Sequence, residues 1–118
     1  MASKCVREAY PLLLVLSQSI KNKKLRKELL KNRKVLDSLR ELTVNVLHET
    51  VPISQSARRK LLQFKKELVL LAEKDRYRKK YTVLKSSQRG GALLSTLLGI
   101  GIPILADLLF SHGGSNSG

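Results

Sequence analysis

RKVLDSLRELTVNVLHE, residues Arg33 to Glu49, places Val35, Leu39, Leu42 and Val46 at spacings of four, three and four, with Leu36, Thr43 and Leu47 widening the stripe. That period belongs to an α-helix, and an apolar face of this width is buried against other helices. Asn45-Val46-Leu47 leads into Thr50-Val51-Pro52-Ile53-Ser54, where the chain must stop being helical. The residue before a proline is pushed out of the helical region, and Ser54 or Ser56 can accept amide hydrogen bonds as the next N-cap.

The same period extends in both directions from this segment. Upstream, Val6, Ala9, Leu13, Leu16 and Ile20 share a stripe, with Pro11 expected near the true start of the helix because it lacks an amide proton. Asn22 caps a short second helix in which Leu25 and Leu29 share a face, and Asn32 either separates it from the third or lets the two run on. Downstream, a fourth helix from Ser56 to Lys74 carries Ala57, Leu61, Phe64, Leu68 and Leu71 on one seam, and a solvated extension through Asp75 to Tyr81 is expected. Aromatic residues are scarce and β-type alternation is absent, so the expected fold is all-α: a small bundle of three to four amphipathic helices with a hydrophobic C-terminal helical tail.

Charge divides the chain into two parts. It carries 23 Lys and Arg against 9 Asp and Glu, a net +14, and every base lies at or before Arg89. The expected units are a basic helical module over 1–87, a Gly-Gly linker or cleavage site over 88–91, a hydrophobic segment over 92–110 and a flexible polar tail over 111–118. Such an excess of one sign costs self-repulsion unless a polyanion neutralises it, which points to nucleic acid or an anionic membrane. The candidate nucleic-acid-binding residues are Lys21, Lys23, Lys24, Arg26 and Lys27; Arg58, Arg59, Lys60, Lys65 and Lys66; and Arg76, Arg78, Lys79 and Lys80. These clusters fall opposite the apolar stripes, and the first and last also fit nuclear-import signals. Nothing indicates sequence-specific readout. Tyr77 and Tyr81 interleave with the bases, either stacking on nucleobases or lying along the helix end.

Ala92–Phe110 is long enough as one helix, roughly 28 Å, for a bilayer core, but Gly99, Gly101, Pro103 and Asp107 interrupt it. It reads as a tail anchor, as a membrane-active hairpin broken at Gly99 to Pro103, or as an apolar tail docked on protein. Gln88-Arg89-Gly90-Gly91 reads equally as a flexible joint or as a processing site at Gly90 and Gly91, since a protease tunnel that threads an extended backbone demands side-chain-free residues. Leu12 to Leu16 after Lys4 and Arg7 imitate a signal peptide, but the core is short and no small-residue cleavage pattern follows. His48 and His112 are too far apart to suggest a metal site, and Cys5, the only cysteine, has no base partner in view. With no nucleophile motif, paired catalytic carboxylates or phosphate-cradling loop, the expectation is a protein that is not an enzyme and needs no cofactor.

The order of features carries a resemblance. Tyr10-Pro11-Leu12-Leu13-Leu14, then Asn45-Val46-Leu47 with Val51-Pro52-Ile53-Ser54, then bases, then Gln88-Arg89-Gly90-Gly91 opening an apolar tail, resembles the small basic proteins of Polinton or Maverick elements and adintoviruses, which are similar to the adenovirus minor core protein precursor. The resemblance implies a virion-core or DNA-condensing protein in the host nucleus or the virion. It also implies maturation by an adenovirus-type cysteine protease at the Gly-Gly, although Gln88 stands where that cleavage pattern has an aliphatic residue. The expected function is non-sequence-specific nucleic-acid binding, most simply to DNA, with a capsid or membrane contact through residues 92–110. The alternative is a tail-anchored or membrane-active protein of an intracellular membrane whose basic helices bind anionic lipid.

Overall fold

The computed structural model describes residues 4–48, 53–86 and 89–107, and the expected polar tail over 111–118 lies outside them. Among the described residues the chain forms helices only: α1 (Lys4–Gln18), α2 (Lys23–Leu30), α3 (Arg33–Leu47), α4 (Gln55–Leu62), α5 (Lys65–Ala72), α6 (Tyr77–Leu84) and α7 (Arg89–Ala106). The all-α expectation holds, with seven helices in place of three to four. They pack into a body of 44 × 29 × 26 Å.

The start signals act as the side-chain chemistry predicts. Asn22 Oδ1 accepts from Leu25 N at 3.1 Å, Asn32 Oδ1 from Lys34 N at 2.8 Å, and Ser54 Oγ from Ala57 N at 3.1 Å, each supplying an acceptor to an otherwise orphan amide. Asn32 therefore ends one helix and begins another. His48, expected at a helix end, is the C-cap of α3.

The additional helices arise where packing overrides a continuous apolar seam. The expected fourth helix breaks at Gln63-Phe64, because α4 lies against α7 while α5 lies against α3, and one straight rod cannot follow both. Leu61, Phe64, Leu68 and Leu71 remain buried on either side of the break. The expected extension through Tyr81 is also absent. Glu73 is extended, Asp75 and Arg76 take left-handed conformations with φ 60° and 56°, and α6 sets off in a new direction.

Pro11 does not begin α1; it sits inside it. Pro11 and Arg7, whose carbonyl loses its helical donor, are both exposed, so water replaces the missing bond and the ring meets no neighbour. Pro103 repeats this arrangement in α7, with Gly99 exposed four residues before it.

Of the readings of the hydrophobic segment, the structure takes the apolar tail docked on protein. α7 is not an appendage to a finished module but part of its core, packed on α1, α4 and α6. Leu93, Leu94, Leu97 and Leu98 are fully buried and Leu105 is 4% exposed, joining Leu13 and Leu16 of α1 and Leu36, Leu39 and Leu42 of α3. Ala92, Ser95, Gly99 and Pro103 form the outward stripe. Glycines make this close packing possible. A β-carbon on Gly90 would stand 2.5 Å from the Leu84 carbonyl oxygen, and one on Gly101 2.3 Å from Leu42 Cδ2.

Gly90→Ala and Gly99→Ala therefore have opposite effects. The first forces backbone away from backbone and lowers unfolding stability by about 2 kcal/mol; the second adds a methyl with nothing within 4 Å, and raises stability by up to about 1 kcal/mol. Urea denaturation of the two variants beside the parent checks both signs.

Candidate nucleic-acid interface

The candidate interface is formed by what the core leaves outside. Because the helices turn most of their leucines inward, Lys21, Lys23 and Lys24, then Arg58, Arg59 and Lys60, then Lys65 and Lys66, then Arg76, Arg78 and Lys79 are exposed, and Lys27 is half-buried. The carboxylates are largely committed. Glu8 pairs with Lys34 at 3.0 Å, Glu28 with Lys31 at 3.4 Å, Glu73 with Arg76 at 3.0 Å, and Glu67 with Arg89. The Arg89 guanidinium holds the Glu67 carboxyl below the usual glutamate range. Lys21, Lys23, Lys24, Lys27, Arg59, Lys60, Lys65, Lys66, Arg78 and Lys79 have no carboxylate at ion-pair distance among the described residues.

Two of the expected phosphate-binding residues are instead structural. Arg26 is 3% exposed; its Nη1 donates to the Ile20 carbonyl at 2.6 Å, and its Nη2 to those of Lys85 at 2.9 Å and Ser86 at 3.4 Å. It ties the turn after α1 to the turn after α6. Lys80 is fully buried, with Nζ donating to the Glu73 carbonyl at 2.6 Å across the reversal between α5 and α6. Burial pushes this ammonium below the ordinary lysine range, and the neighbouring Arg40 charge adds to the effect. Both residues sit in basic runs. Charge alone could not separate them from their exposed neighbours.

The clusters meet in two places. Lys21 and Lys23 border a depression of about 410 Å³ that includes Ser95, and Lys60 borders one of about 380 Å³ that includes Ser54, Ser56 and the same Ser95. The first and second basic clusters thus flank the polar stripe of α7. The third cluster forms a wider cleft of about 780 Å³, where Arg76, Arg78 and Lys79 surround Tyr77 together with Thr82, Val83 and Arg33. Arg33 was not among the expected residues. It opens α3, more than forty positions before Arg76, and no local pattern links them.

The tyrosines separate into two roles. The Arg33 guanidinium lies 4.7 Å from the Tyr77 ring centroid, and the Tyr77 hydroxyl donates to Asp37 Oδ1 at 2.9 Å, a bond that raises the phenol's pKa. Tyr81 packs half-buried against the core, with Lys85 Nζ 5.3 Å from its ring, in keeping with an amphipathic residue along a helix end.

Gly90 and Gly91, the candidate processing residues, are buried in the first turn of α7, while Gln88 lies outside the described residues. The Gly91 amide donates to the Ser86 carbonyl at 3.1 Å, and a β-carbon there would stand 3.2 Å from Arg26 Nη1. Arg89 donates through Nη2 to the Gln63 carbonyl at 2.8 Å and lies over Phe64.

Substitution separates structural from surface bases. Arg26→Met leaves buried carbonyls without donors and lowers stability by about 3 kcal/mol, whereas Lys80→Met removes an unfavourably buried charge at the loss of one hydrogen bond and stays within about 1 kcal/mol of the parent. Lys80→Met also leaves nucleic-acid affinity unchanged, which a filter-binding assay reads directly. The chain matches no protein-family model, no curated protein and no solved structure.

Proposed function

We propose that this is a non-enzymatic, non-sequence-specific nucleic-acid-binding structural protein, a virion-core or DNA-condensing component like those of Polinton or Maverick elements and adintoviruses, acting in the host nucleus or the virion. One observation carries the reading: among the described residues, ten of the candidate bases, nine exposed and one half-buried, have no carboxylate at ion-pair distance on a folded helical body. A body of this kind neutralises phosphates while its leucines hold its shape, and rigid placement of the charges spares the entropy of ordering a loose polycation. Base edges play no part in this binding.

Neutralising about six phosphates gives a slope of log affinity against log salt of about −5, equal for two duplexes of unrelated sequence. Fluorescence anisotropy between about 50 and 200 mM salt measures it. No binding at the low end, or a marked preference for one sequence, overturns the proposal.

The second reading, a membrane protein, draws on α7, which has the length and composition of a spanning segment with a mean hydropathy of 1.5. In this structure 44% of that segment is buried within the protein, so insertion requires the bundle to open. For the same reason the proposed protease would meet Gly90 and Gly91 only after α7 unwinds at its start, because a threading tunnel needs extended backbone. Cutting the chain after Gly91 takes Leu93, Leu94, Leu97, Leu98 and Leu105 out of the core. The expected result is a truncated chain that lacks a cooperative thermal transition by circular dichroism, so experiments separating DNA from lipid use the full chain. Co-flotation with phosphatidylserine vesicles in the absence of DNA binding favours the second reading.

A further inference from the structure

The cleft between the start of α3 and α6 differs from the rest of the basic surface. The depressions bordered by Lys21 and Lys23 and by Lys60 have no aromatic wall, whereas here the bases border an open depression of about 780 Å³ whose walls include the Tyr77 ring and Val83. Arg33, Arg78 and Lys79 have no carboxylate partner among the described residues. Of the acids nearby, Asp37 accepts the Tyr77 hydroxyl, Glu73 pairs with Arg76, and Asp75 lies in the exposed turn before α6.

Resting on the nucleic-acid reading above, we propose that this cleft is a binding site for single-stranded nucleic acid, with phosphates on Arg78 and Lys79 and a base on the Arg33 guanidinium where it lies over Tyr77, beside Val83. The argument turns on the apolar wall. A duplex turns its base faces inward and offers phosphates along a convex ridge, so it gains from the cations but not from a concave apolar floor. A single strand exposes base faces that stack on aromatic rings and on guanidinium planes. A guanidinium backed by an aromatic ring is already assembled here, with Arg33 over Tyr77 at 4.7 Å and the ring held by its bond to Asp37. An acidic peptide would use the charges and leave the stacking surface idle.

The test compares two double variants of the full chain that each remove two exposed charges: Arg33→Gln with Arg78→Gln in the cleft, and Lys65→Gln with Lys66→Gln on α5. Each is titrated by anisotropy, at one salt concentration, against a labelled oligothymidylate of about 20 nucleotides and a duplex of equal length. Both variants are expected to weaken duplex binding to the same extent, as loss of equal charge requires. The cleft variant is expected to lose roughly tenfold more affinity for the single strand than the α5 variant does. Equal single-strand losses, or displacement of the oligothymidylate by polyglutamate as effectively as by unlabelled strand, overturn the site while leaving general nucleic-acid binding intact. If the parent protein binds neither strand nor duplex, the functional reading fails as well. Unchanged circular dichroism of both variants shows that the comparison is made on folded protein.

Discussion

The Arg26 guanidinium ties together the two ends of the basic part of the chain. It reaches the Ile20 carbonyl in the turn after α1 and the Lys85 and Ser86 carbonyls in the turn after α6, so one side chain supplies donors to two chain reversals about sixty residues apart. A buried cation is unfavourable unless its hydrogen bonds are made, and here three contacts to carbonyl oxygens compensate while Nε remains unpartnered. The arrangement needs space, and Gly91 provides it. A β-carbon there would stand 3.2 Å from Nη1, and one on Gly90 would meet the carbonyls of Leu84 and Val83 at 2.5 and 2.6 Å. The glycine pair at the compositional boundary is therefore, with Gly101 against Leu42, a place where α7 packs closely on the rest of the protein.

From this follows a division of labour among like residues. Arg26 and Lys80 serve as internal donors to carbonyls at turns, Arg40 Nε does the same for Ala72 at 3.2 Å, and Arg89 does so for Gln63. The seven helices among the described residues leave many C-terminal carbonyls, and cations near helix ends satisfy them and complement the dipole. Basic residues thus do two jobs, closing turns inside and leaving unpaired charge outside. The surface pairs that do form contribute little to stability individually, so the net positive field is the main electrostatic property of the surface.

Much of this was legible in the sequence. The apolar period gave the helical class, and Asn22, Asn32 and Ser54 marked starts because a short polar side chain before a periodic run has few other uses. The break at Gln63-Phe64 and the reversal at Asp75-Arg76 were not legible, since the seam continues in step across the first and no glycine marks the second. Both are imposed by neighbouring helices. In the candidate interface, exposure of most bases followed from the helical period, but Arg26 and Lys80 look like their neighbours until the turns that need them are in place. Arg33 is invisible for the opposite reason: its association with Tyr77 exists only in three dimensions. The outward stripe of α7, Ala92, Ser95, Gly99 and Pro103, has helical spacing in the sequence, yet the density of leucine around it hides which side faces out.

That stripe changes what the C-terminal segment means. An apolar helix with one small and polar side buries its other side in whatever apolar medium is at hand, and inside this protein the medium is the leucines of α1 and α3. Exposing Leu93, Leu94, Leu97, Leu98 and Leu105 together would cost on the order of 10 kcal/mol at about 2 kcal/mol each, comparable with the whole stability of a small domain. A bilayer returns that energy, but only to a molecule whose remaining helices have lost their core. A packed body with α7 in its core and a membrane-inserted α7 therefore exclude one another in the same chain. Insertion of α7 must first take Leu93, Leu94, Leu97, Leu98 and Leu105 out of the core they share with α1 and α3.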